Sequence, residues 1–333
     1  MRNYLGVDGG GTKTDFLLID ESGRVLASHR AGSAYYLETG IEALETMLVG
    51  GIQETLQKAR VSTAELSFAF IGLPAHGEDS ALLPRLDRVA ASVLPAESHR
   101  CGNDMVCGWA GALAGRDGIN LVAGTGSIAY GEYAGRQARA GGWGEVFSDE
   151  GSAYWVAREG LSLFSRMSDG RIAQGPLYAM IRERFALHGD LDLCAAIYGP
   201  PALARSELAG LAPLVGRAAA AGDVQAQGVF DAAARELAAL VHAVRESLDP
   251  PPAESLRVSY SGGMFHFGEL LLAPLRSALG VGARRYEFVA PQLGPVAGAA
   301  LYAARLSGTP LAAAALTALV QQYGAEPSEE FPP

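Results

Sequence analysis

The chemistry-bearing residues of this chain are carboxylates that lie beside glycine-rich turns. The first, Asp8, precedes three glycines and Thr12 in the stretch GVDGGGTKTD. Backbone N–H groups in such a turn can bind an anion, glycines let the backbone approach it, and threonine and lysine side chains add donors. A carboxylate beside bound phosphates is typical of a Mg²⁺ site, so Asp8 is the predicted metal-binding residue. The predicted phosphate-binding residues of this turn are Gly9, Gly10, Gly11, Thr12 and Lys13.

Two better-known phosphate loops do not fit this stretch. A Walker A loop requires adjacent Gly-Lys-Ser/Thr, whereas Thr12 separates Gly11 from Lys13, and the following DFLLID alternates like a strand instead of a helix. The dinucleotide-binding signature fails because Thr14 occupies the place of its third glycine. A plain hairpin turn is the remaining alternative, although Asn-Gly or Asp-Gly is the more usual choice for one.

The same strand–turn–strand pattern returns from Ile119 onward. INLVA is followed by the turn Gly124–Ser127 (GTGS), by IAYGEY and by a second turn at 134–136. The turn satisfies GxGxx(G/A), but a strand pattern follows it instead of a helix, which disfavours a dinucleotide oxidoreductase. Recurrence of one pattern indicates a duplicated fold with a cleft between the copies. Thr125 and Gly126 are therefore predicted to bind phosphate as well.

Two further carboxylate sites complete the chemistry. Asp104 precedes a small-residue helix in CGNDMVCGWAG, where the helix dipole favours its negative charge. It can serve as an N-cap, or as the base that accepts a proton from a hydroxyl attacking a γ-phosphate. In GGWGEVFSDEGSAYW, Trp143 offers an apolar platform and Asp149 and Glu150 offer acceptors for sugar hydroxyls. Asp149 can equally be the N-cap of the following helix.

Hydrophobic periodicity predicts the elements that position these residues, and their alternation indicates an α/β fold. An amphipathic helix carries apolar residues at helical spacing from Ile41 to Leu56. The predicted strands are Tyr4–Val7, Asp15–Ile19, Val25–Ala27, Phe68–Leu73 and Leu256–Tyr260. The other predicted helices are Gly151–Met167, Gly175–Phe185, Leu208–Ala221, Val224–Leu248, one after Gly262–Gly263, and the closing Val296–Leu306.

Length and composition bound the organisation of the chain. With 333 residues, 49% of them hydrophobic, we expect two lobes, 1–116 and 117–295, with a C-terminal helix at 296–320 packing back on the first. A net charge of −10 without a basic run disfavours nucleic-acid and anionic-membrane partners. Three cysteines without metal-ligand spacing, and no signal-peptide pattern, lead us to expect a cytoplasmic protein.

Taken together and in this order, the stretches resemble the sugar kinases of the actin/hexokinase/Hsp70 ATPase superfamily. They are most similar to the N-acetylglucosamine kinase family, which includes bacterial glucosamine kinases and is related to the benzoyl-CoA reductase activator ATPases. GVDGGGTKTD and LVAGTGSIAYG resemble the two phosphate motifs, SYSGGMFHFGELL the adenosine motif, and CGNDMVCGWAG and GPVAGAALYAA the connecting motifs. GGWGEVFSDEGSAYW resembles the amino-sugar loop, and the resemblance extends over residues 4–306.

The resemblance implies two duplicated ribonuclease-H-like lobes around an interlobe cleft, usually in a homodimer, with ATP and Mg²⁺ as cofactors. It implies transfer of the γ-phosphoryl group to the 6-hydroxyl of an amino sugar, N-acetylglucosamine before others. Asp104 would be the base and Asp8 would position Mg²⁺, while Thr12, Thr125 and the adjacent glycines would hold phosphates. The implied nucleoside-binding residues are Gly262, Gly263 and Met264. The implied sugar-binding residues are Ser33, Asp104, Ser127, Gly142, Trp143, Gly144 and Asp149.

The chain departs from the animal members of that family at two places near the sugar. Ala34 and Ile128 occupy positions where those members carry asparagine, which should change selectivity for the sugar and leave the reaction type unchanged. The open alternatives are a kinase for glucosamine or another amino sugar, an iron–sulfur activator-type ATPase and a non-catalytic sugar sensor. Cys101, Cys107 and Cys194 are not spaced as a tight pair, which disfavours the activator, and retention of Asp104 disfavours the sensor.

Overall fold

A computed structural model describes residues 2–280 and 285–324, which form two compact units with one five-stranded sheet each. Unit 1 contains the described residues up to Gly118 and from Val289 onward, and unit 2 runs from Ile119 to Phe288. In the described ranges, no helix combines the length and the apolar character needed to cross a membrane.

Unit 1 begins with a meander of three strands, as the alternating pattern predicts. Short 3₁₀ turns at Thr63–Glu65 and Ala96–Ser98 precede its fourth and fifth strands. The strands are β1 Asn3–Gly9, β2 Thr14–Asp20, β3 Val25–Ala31, β4 Leu66–Leu73 and β5 His99–Asn103. The helices are α1 Tyr36–Thr39, α2 Ile41–Ala59, α3 Leu83–Leu86, α4 Met105–Ala112, and, from the end of the chain, α12 Pro295–Leu306 and α13 Ala313–Tyr323.

The sheet of unit 1 has the order β3-β2-β1-β4-β5. β1 pairs antiparallel with β2 but parallel with β4, and β4 pairs parallel with β5. Parallel neighbours end at the same edge of a sheet, so this register aligns Asp8 with Gly72 and Leu73 with Asn103. The sheet therefore brings the predicted metal-binding and base segments to one edge.

Small residues let α12 pack closely against that sheet. A Cβ added at Gly6 of β1 would lie 2.2 Å from the backbone nitrogen of Ala300, and one at Gly298 would lie 2.2 Å from the backbone oxygen of Cys107. Substitution at either glycine would force the helix away from β1 or α4. The single helix expected over 296–320 is in fact two helices, because α12 ends at Leu306 and α13 begins only at Ala313.

Unit 2 repeats the strand arrangement of unit 1 and adds a helical layer. A 3₁₀ turn at Gly263–Phe267 follows its fourth strand. The strands are β6 Gly118–Ala123, β7 Ser127–Tyr133, β8 Arg136–Gly141, β9 Ser255–Ser261 and β10 Arg285–Val289. The helices are α5 Ala153–Ser168, α6 Pro176–Arg184, α7 Asp192–Tyr198, α8 Arg205–Ala209, α9 Ala212–Ala220, α10 Val224–Leu248 and α11 Glu269–Leu279.

The sheet order of unit 2, β8-β7-β6-β9-β10, is that of unit 1 strand for strand. β7 and β8 are antiparallel, whereas β6 and β9 are parallel, which again gathers two strand ends at one edge. The predicted α/β class and the duplication are confirmed. One helix expected at Leu208–Ala221 is divided in the structure, where α8 ends at Ala209 and α9 begins at Ala212.

Candidate active site

The first half-site lies in unit 1, at the edge where β1, β4 and β5 end. Gly72 allows β4 to meet the start of α4, because an added Cβ would lie 2.2 Å from the Sγ atom of Cys107 and 3.2 Å from the Cα atom of Asp104. The Asp104 amide donates to the Leu73 carbonyl over 3.2 Å, which fixes the turn from β5 into α4. Asp8 and Asp104 are thus placed at the same sheet edge by backbone packing.

Asp8 is a carboxylate in an environment that disfavours its charge. Burial, and to a lesser extent the negative charges of Asp104 and Asp15, together raise its pKa from 3.8 to about 7. The Cys107 thiol, which also lies 3.7 Å from the Val7 carbonyl, donates a hydrogen bond to Asp8 and opposes this shift. A divalent cation would neutralise the negative charge of Asp8 and the carboxylates near it, so these oxygen ligands fit Mg²⁺.

Asp104 begins α4 and is half-buried. Its side chain makes no capping hydrogen bond to the helix, and Asn103 Oδ1 accepts the Met105 amide over 3.1 Å. The simple N-cap alternative for Asp104 therefore does not describe its side chain. Its backbone carbonyl accepts the amides of Cys107, over 2.9 Å, and Gly108, over 3.3 Å, in the first turn of α4.

The glycine turn between β1 and β2 is tied down except at its tip. The Gly10 amide donates to the Lys13 carbonyl over 2.9 Å, and the Ala34 amide donates to the Gly10 carbonyl over 3.0 Å. A Cβ at Gly9 would lie 2.8 Å from the Ala34 Cβ atom, so Gly9 is required by packing. A Cβ added at Gly11 would have no protein atom within 4 Å, and Gly11 has no positive φ, so the fold does not require glycine there. Close approach of a ligand would require it.

The side chains around this turn differ in their availability. Thr12 is exposed, whereas Thr14 is buried and donates to the Gly32 carbonyl over 2.8 Å. Lys13 is exposed and pairs with Asp15 over 3.4 Å. Partial burial alone would raise the pKa of Asp15, but the hydrogen bond from Arg30 and the Lys13 charge lower it below its usual range. Ser33, half-buried beside the turn, accepts the Tyr35 amide over 3.0 Å.

The second half-site lies in unit 2, at the turn between β6 and β7. The Gly124 amide donates to the Gly126 carbonyl over 2.9 Å, and the Ala153 amide at the start of α5 donates to the Gly124 carbonyl over 2.8 Å. Thr125 stays exposed at the tip of the turn. The Ser127 hydroxyl, by contrast, is buried and donates to the Glu150 carbonyl over 2.7 Å. Ser127 therefore holds the loop before α5, and its hydroxyl does not face solvent.

Asp149 is buried beside this turn in a left-handed conformation (φ 62°). Its Oδ1 atom accepts the Ser127 amide over 3.3 Å, and its Oδ2 atom accepts a hydrogen bond from Arg205. Burial raises the pKa of Asp149, against the lowering effects of the Ser127 amide and the Arg205 charge. The N-cap of α5 is Ser152, which accepts the Trp155 amide, so the N-cap alternative for Asp149 is wrong.

The loop from Gly142 to Gly151, which lies in the stretch that resembles an amino-sugar loop, presents apolar side chains to solvent. Trp143 is 68% exposed, and Val146 and Phe147 are exposed as well. The Arg139 guanidinium lies 5.6 Å from the Trp143 ring centroid and donates to the Gly142 carbonyl over 3.1 Å.

Backbone conformation fixes the shape of the same loop. Gly142 and Gly144 both have positive φ, which favours glycine. A Cβ at Gly142 would also lie 2.7 Å from Ile128, whereas Gly144 has open space around it. The loop is therefore closely packed at Gly142, and the indole of Trp143 is accessible to solvent.

A pocket of about 390 Å³ adjoins the second phosphate turn within unit 2. Gly262 brings β9 against β6, since its Cβ would lie 2.4 Å from the Ala123 carbonyl. Met264, which is predicted to bind the nucleoside, has a side chain that is fully buried in the core of unit 2 and does not line this pocket. The lining includes Gly124, Thr125, Gly263, Phe267, Ser206 and Pro213. This mostly apolar wall next to a phosphate turn suits a nucleoside.

The three cysteines do not form a cluster. Cys101 and Cys107 are buried, and burial raises the pKa of both thiols, that of Cys101 to about 12. Cys194 is exposed on α7. Within residues 2–280 and 285–324, no three His, Cys, Asp or Glu side chains are arranged to hold a metal ion. Mg²⁺ usually keeps several waters and needs only one or two carboxylates, so this does not conflict with Asp8 as its site.

Comparisons with known proteins agree with this arrangement. Residues 5–303 match the BadF/BadG/BcrA/BcrD ATPase family. An N-acetylmuramic acid/N-acetylglucosamine kinase from Clostridium acetobutylicum is 32% identical over 251 residues, which are 74% of this chain and 81% of that protein. An N-acetyl-D-glucosamine kinase from Dictyostelium discoideum is 27% identical over 269 residues, 78% of this chain and 84% of that protein.

A solved structure extends the similarity to three dimensions. A Chromobacterium violaceum protein provisionally named an N-acetylglucosamine kinase matches with a TM-score of 0.66 and 28% sequence identity. The match covers 90% of this chain and 98% of that protein, so both units take part in it.

Proposed function

The chain belongs to the BadF/BadG/BcrA/BcrD ATPase family, and from this premise we propose that it is an ATP-dependent amino-sugar kinase. Family membership confirms the resemblance seen in the motifs. The observation that carries the proposal is the pair Asp8 and Asp104, placed at one sheet edge beside a glycine turn whose tip is open. The relatives that match over most of the chain are named as kinases of N-acetylated amino sugars, which supports the substrate class.

In the proposed reaction, the 6-hydroxyl oxygen of the sugar attacks the γ-phosphorus of ATP. The bond from that phosphorus to the β,γ-bridging oxygen breaks, ADP leaves, and the hydroxyl proton passes to the Asp104 carboxylate. Asp104 suits this role because it begins α4 without spending its carboxylate on the cap. Phosphoryl transfer depends mostly on positioning and charge stabilisation, so correct seating of the sugar matters as much as the base.

The remaining residues take binding roles in this proposal. Asp8 would hold Mg²⁺, which neutralises phosphate charge when it is bound. Thr12, Thr125 and the exposed glycine backbone at the two turns would bind phosphates, and the pocket lined by Gly263 and Phe267 would receive the nucleoside. Trp143 would stack on the sugar, and Asp149 would accept its hydroxyls.

The two positions expected to influence selectivity among amino sugars, Ala34 and Ile128, carry apolar side chains. The Ala34 side chain is fully buried against Gly9, so this position offers no polar group to a ligand. Ile128 packs beneath Gly142 and likewise offers none. N-Acetylglucosamine is the proposed preferred substrate, with glucosamine or another amino sugar as the alternative. Because these two positions offer no polar group, we expect weaker discrimination between sugars that differ only in the group that a polar side chain there would bind.

A panel of sugars tests the proposal. ADP release should be measured with N-acetylglucosamine, glucosamine, N-acetylmannosamine, N-acetylmuramic acid and glucose, and the phosphorylated product should be mapped by NMR. We expect the highest kcat/KM with N-acetylglucosamine and phosphate on oxygen 6. Equal or better turnover of glucosamine would overturn the preference for the N-acetyl sugar, and ADP release independent of every sugar would overturn the kinase assignment.

The setting of the reaction follows from its substrates. ATP is the proposed phosphoryl donor, so we place the enzyme in the cytoplasm. We also propose a homodimer, which is supported by the resemblance to the N-acetylglucosamine kinase family.

A further inference from the structure

Arg205, the first residue of α8, contacts the loop that carries Asp149. Its Nε atom lies 3.1 Å from Glu145 Oε2, and its Nη2 atom donates to Asp149 Oδ2. The Asp149 side chain is only 3% exposed, whereas that of Arg205 is 41% exposed. One partner of this pair is thus inside the protein, and the other reaches it from the surface.

The same guanidinium also lies on the second phosphate turn. A Cβ added at Gly126 would lie 2.7 Å from Arg205 Nη2 and 2.8 Å from Asp149 Oδ2. The other carboxylate oxygen of Asp149 accepts the Ser127 amide, at the end of that turn. Arg205 and Asp149 therefore pack together over Gly126, and the turn and the amino-sugar loop share one contact.

The charges around Asp149 explain why a cation is needed there. Burial raises the pKa of this carboxyl, and Glu145 and Glu150 add negative charge to its surroundings. The Ser127 amide and the Arg205 guanidinium act in the opposite direction. Among the groups that face Asp149, Arg205 supplies the positive charge. An ionised carboxylate accepts hydrogen bonds from hydroxyl groups more strongly than a protonated one does.

The position of Arg205 is fixed by its helix. α8 packs against α5, and the Glu207 carboxylate accepts the Ala204 amide over 2.7 Å at the start of α8. The next residue, Ser206, lines the pocket proposed for the nucleoside. One short helix thus carries both the cation that contacts Asp149 and part of the nucleoside pocket.

We propose that Arg205 is a positioning residue of the sugar site, because its guanidinium holds the Asp149 carboxylate in the orientation and charge state that receive sugar hydroxyls. The inference rests on the proposed function, since it takes Asp149 as a sugar-binding residue. Arg205 acts through Asp149, and its loss should affect sugar binding before it affects the nucleotide.

Steady-state kinetics of Arg205→Gln and Arg205→Lys test this role. The Gln variant should raise KM for the sugar roughly ten- to a hundredfold, with a smaller change in KM for ATP. It should also move the acid limb of kcat/KM for the sugar to higher pH, and the Lys variant should recover part of both effects. Arg182→Gln, which breaks another partly buried arginine–aspartate pair in unit 2, is the matched control and should leave KM for the sugar unchanged.

A measurement without substrate separates this inference from the proposed function. The ¹³C carboxyl resonance of Asp149, assigned with Asp149→Asn, should titrate at higher pH in Arg205→Gln than in the wild-type protein. An unchanged titration, or a kinetic effect confined to ATP, would overturn the role of Arg205. If the wild-type protein phosphorylates no amino sugar, the proposed function fails, and the titration still decides whether Arg205 sets the charge of Asp149.

Discussion

When no cation is bound, the negative charge of Asp8 lowers the stability of the folded protein. Burial and the nearby carboxylates of Asp104 and Asp15 raise its pKa from 3.8 to about 7. The native state therefore binds a proton at Asp8 between about pH 4 and pH 7, where the unfolded chain does not. Stability contributed by this proton is fully present at low pH and is lost as pH rises through about 7. The carboxylate proposed to hold Mg²⁺ thus works against stability when no cation is bound.

Substitution of Asp8 by asparagine should reveal this opposition. In EDTA at pH 8, Asp8→Asn should raise the free energy of unfolding by about 2 to 4 kcal/mol, since each unit of difference in pKa corresponds to about 1.4 kcal/mol. Near pH 4 the gain should disappear, and kinase activity should be lost at every pH. Thermal denaturation between pH 4 and pH 8 measures this, with Asp231→Asn, on the exposed face of α10, as the control. A variant less stable than the wild-type protein at pH 8 would contradict the account.

The positions of Asp8 and Asp104 in the fold could be predicted because their local sequence is informative. Asp8 ends a strand before three glycines, and Asp104 begins a small-residue helix. Arg205 could not be predicted, since its partner Asp149 lies 56 residues away and no local pattern marks the pair. The burial of the Ser127 hydroxyl and of the Met264 side chain could not be predicted for the same reason. Exposure depends on tertiary packing, which short motifs do not encode.

At the scale of elements, the hairpin β1–β2 separates structural glycines from those left for a ligand. Gly9 is required because a Cβ would clash with Ala34 and the Gly72 carbonyl, each 2.8 Å away. A Cβ added at Gly11 would have no protein atom within 4 Å. The hairpin is thus packed at its base and open at its tip, as expected for a turn whose backbone amides approach a phosphate.

The substitution Gly11→Ala should therefore leave folding intact and weaken nucleotide binding. We expect a melting temperature within about 2 °C of the wild-type value, because surface changes usually stay within about 0.5 kcal/mol. KM for ATP should rise at least about tenfold through steric exclusion of the phosphate, with KM for the sugar less affected. Gly50→Ala, on the exposed face of α2 and also without neighbours, should change neither KM. Unchanged KM for ATP in Gly11→Ala would show that phosphate does not approach this turn.

The elements themselves were predictable where periodicity was strong. The meander β1–β3 and the long α10, which Asp223 caps through the amides of Gln225 and Ala226, follow their patterns closely. β5 (HRCGN) was not predicted, because its half-polar sequence lacks alternation. The expected helix Leu208–Ala221 is divided at Gly210, which follows α8, and Pro213 lies in the first turn of α9, where a proline is tolerated.

At the scale of the whole molecule, duplication explains why the chain carries two glycine turns and two sheets of the same strand order. Each unit places its turn at the end of its first strand, which is β1 in unit 1 and β6 in unit 2. The units differ in what they add. Unit 1 contains Asp8 and Asp104, and unit 2 contains the loop proposed to bind the sugar and the pocket proposed for the nucleoside. The proposed division of labour is therefore between chemistry in one unit and substrate recognition in the other.

The rate of N-acetylglucosamine 6-phosphate formation by the wild-type protein and by Asp104→Asn, at saturating ATP and sugar, tests this account most directly. The wild-type protein should form the product stoichiometrically with ADP. Asp104→Asn should reduce kcat by about 10²- to 10⁴-fold, while calorimetry shows sugar affinity within a few-fold of the wild-type value. Near-normal product formation by Asp104→Asn would contradict the assignment of the base and move it to Asp149 or Glu150, and absence of any phosphorylated sugar with the wild-type protein would contradict the proposed function itself.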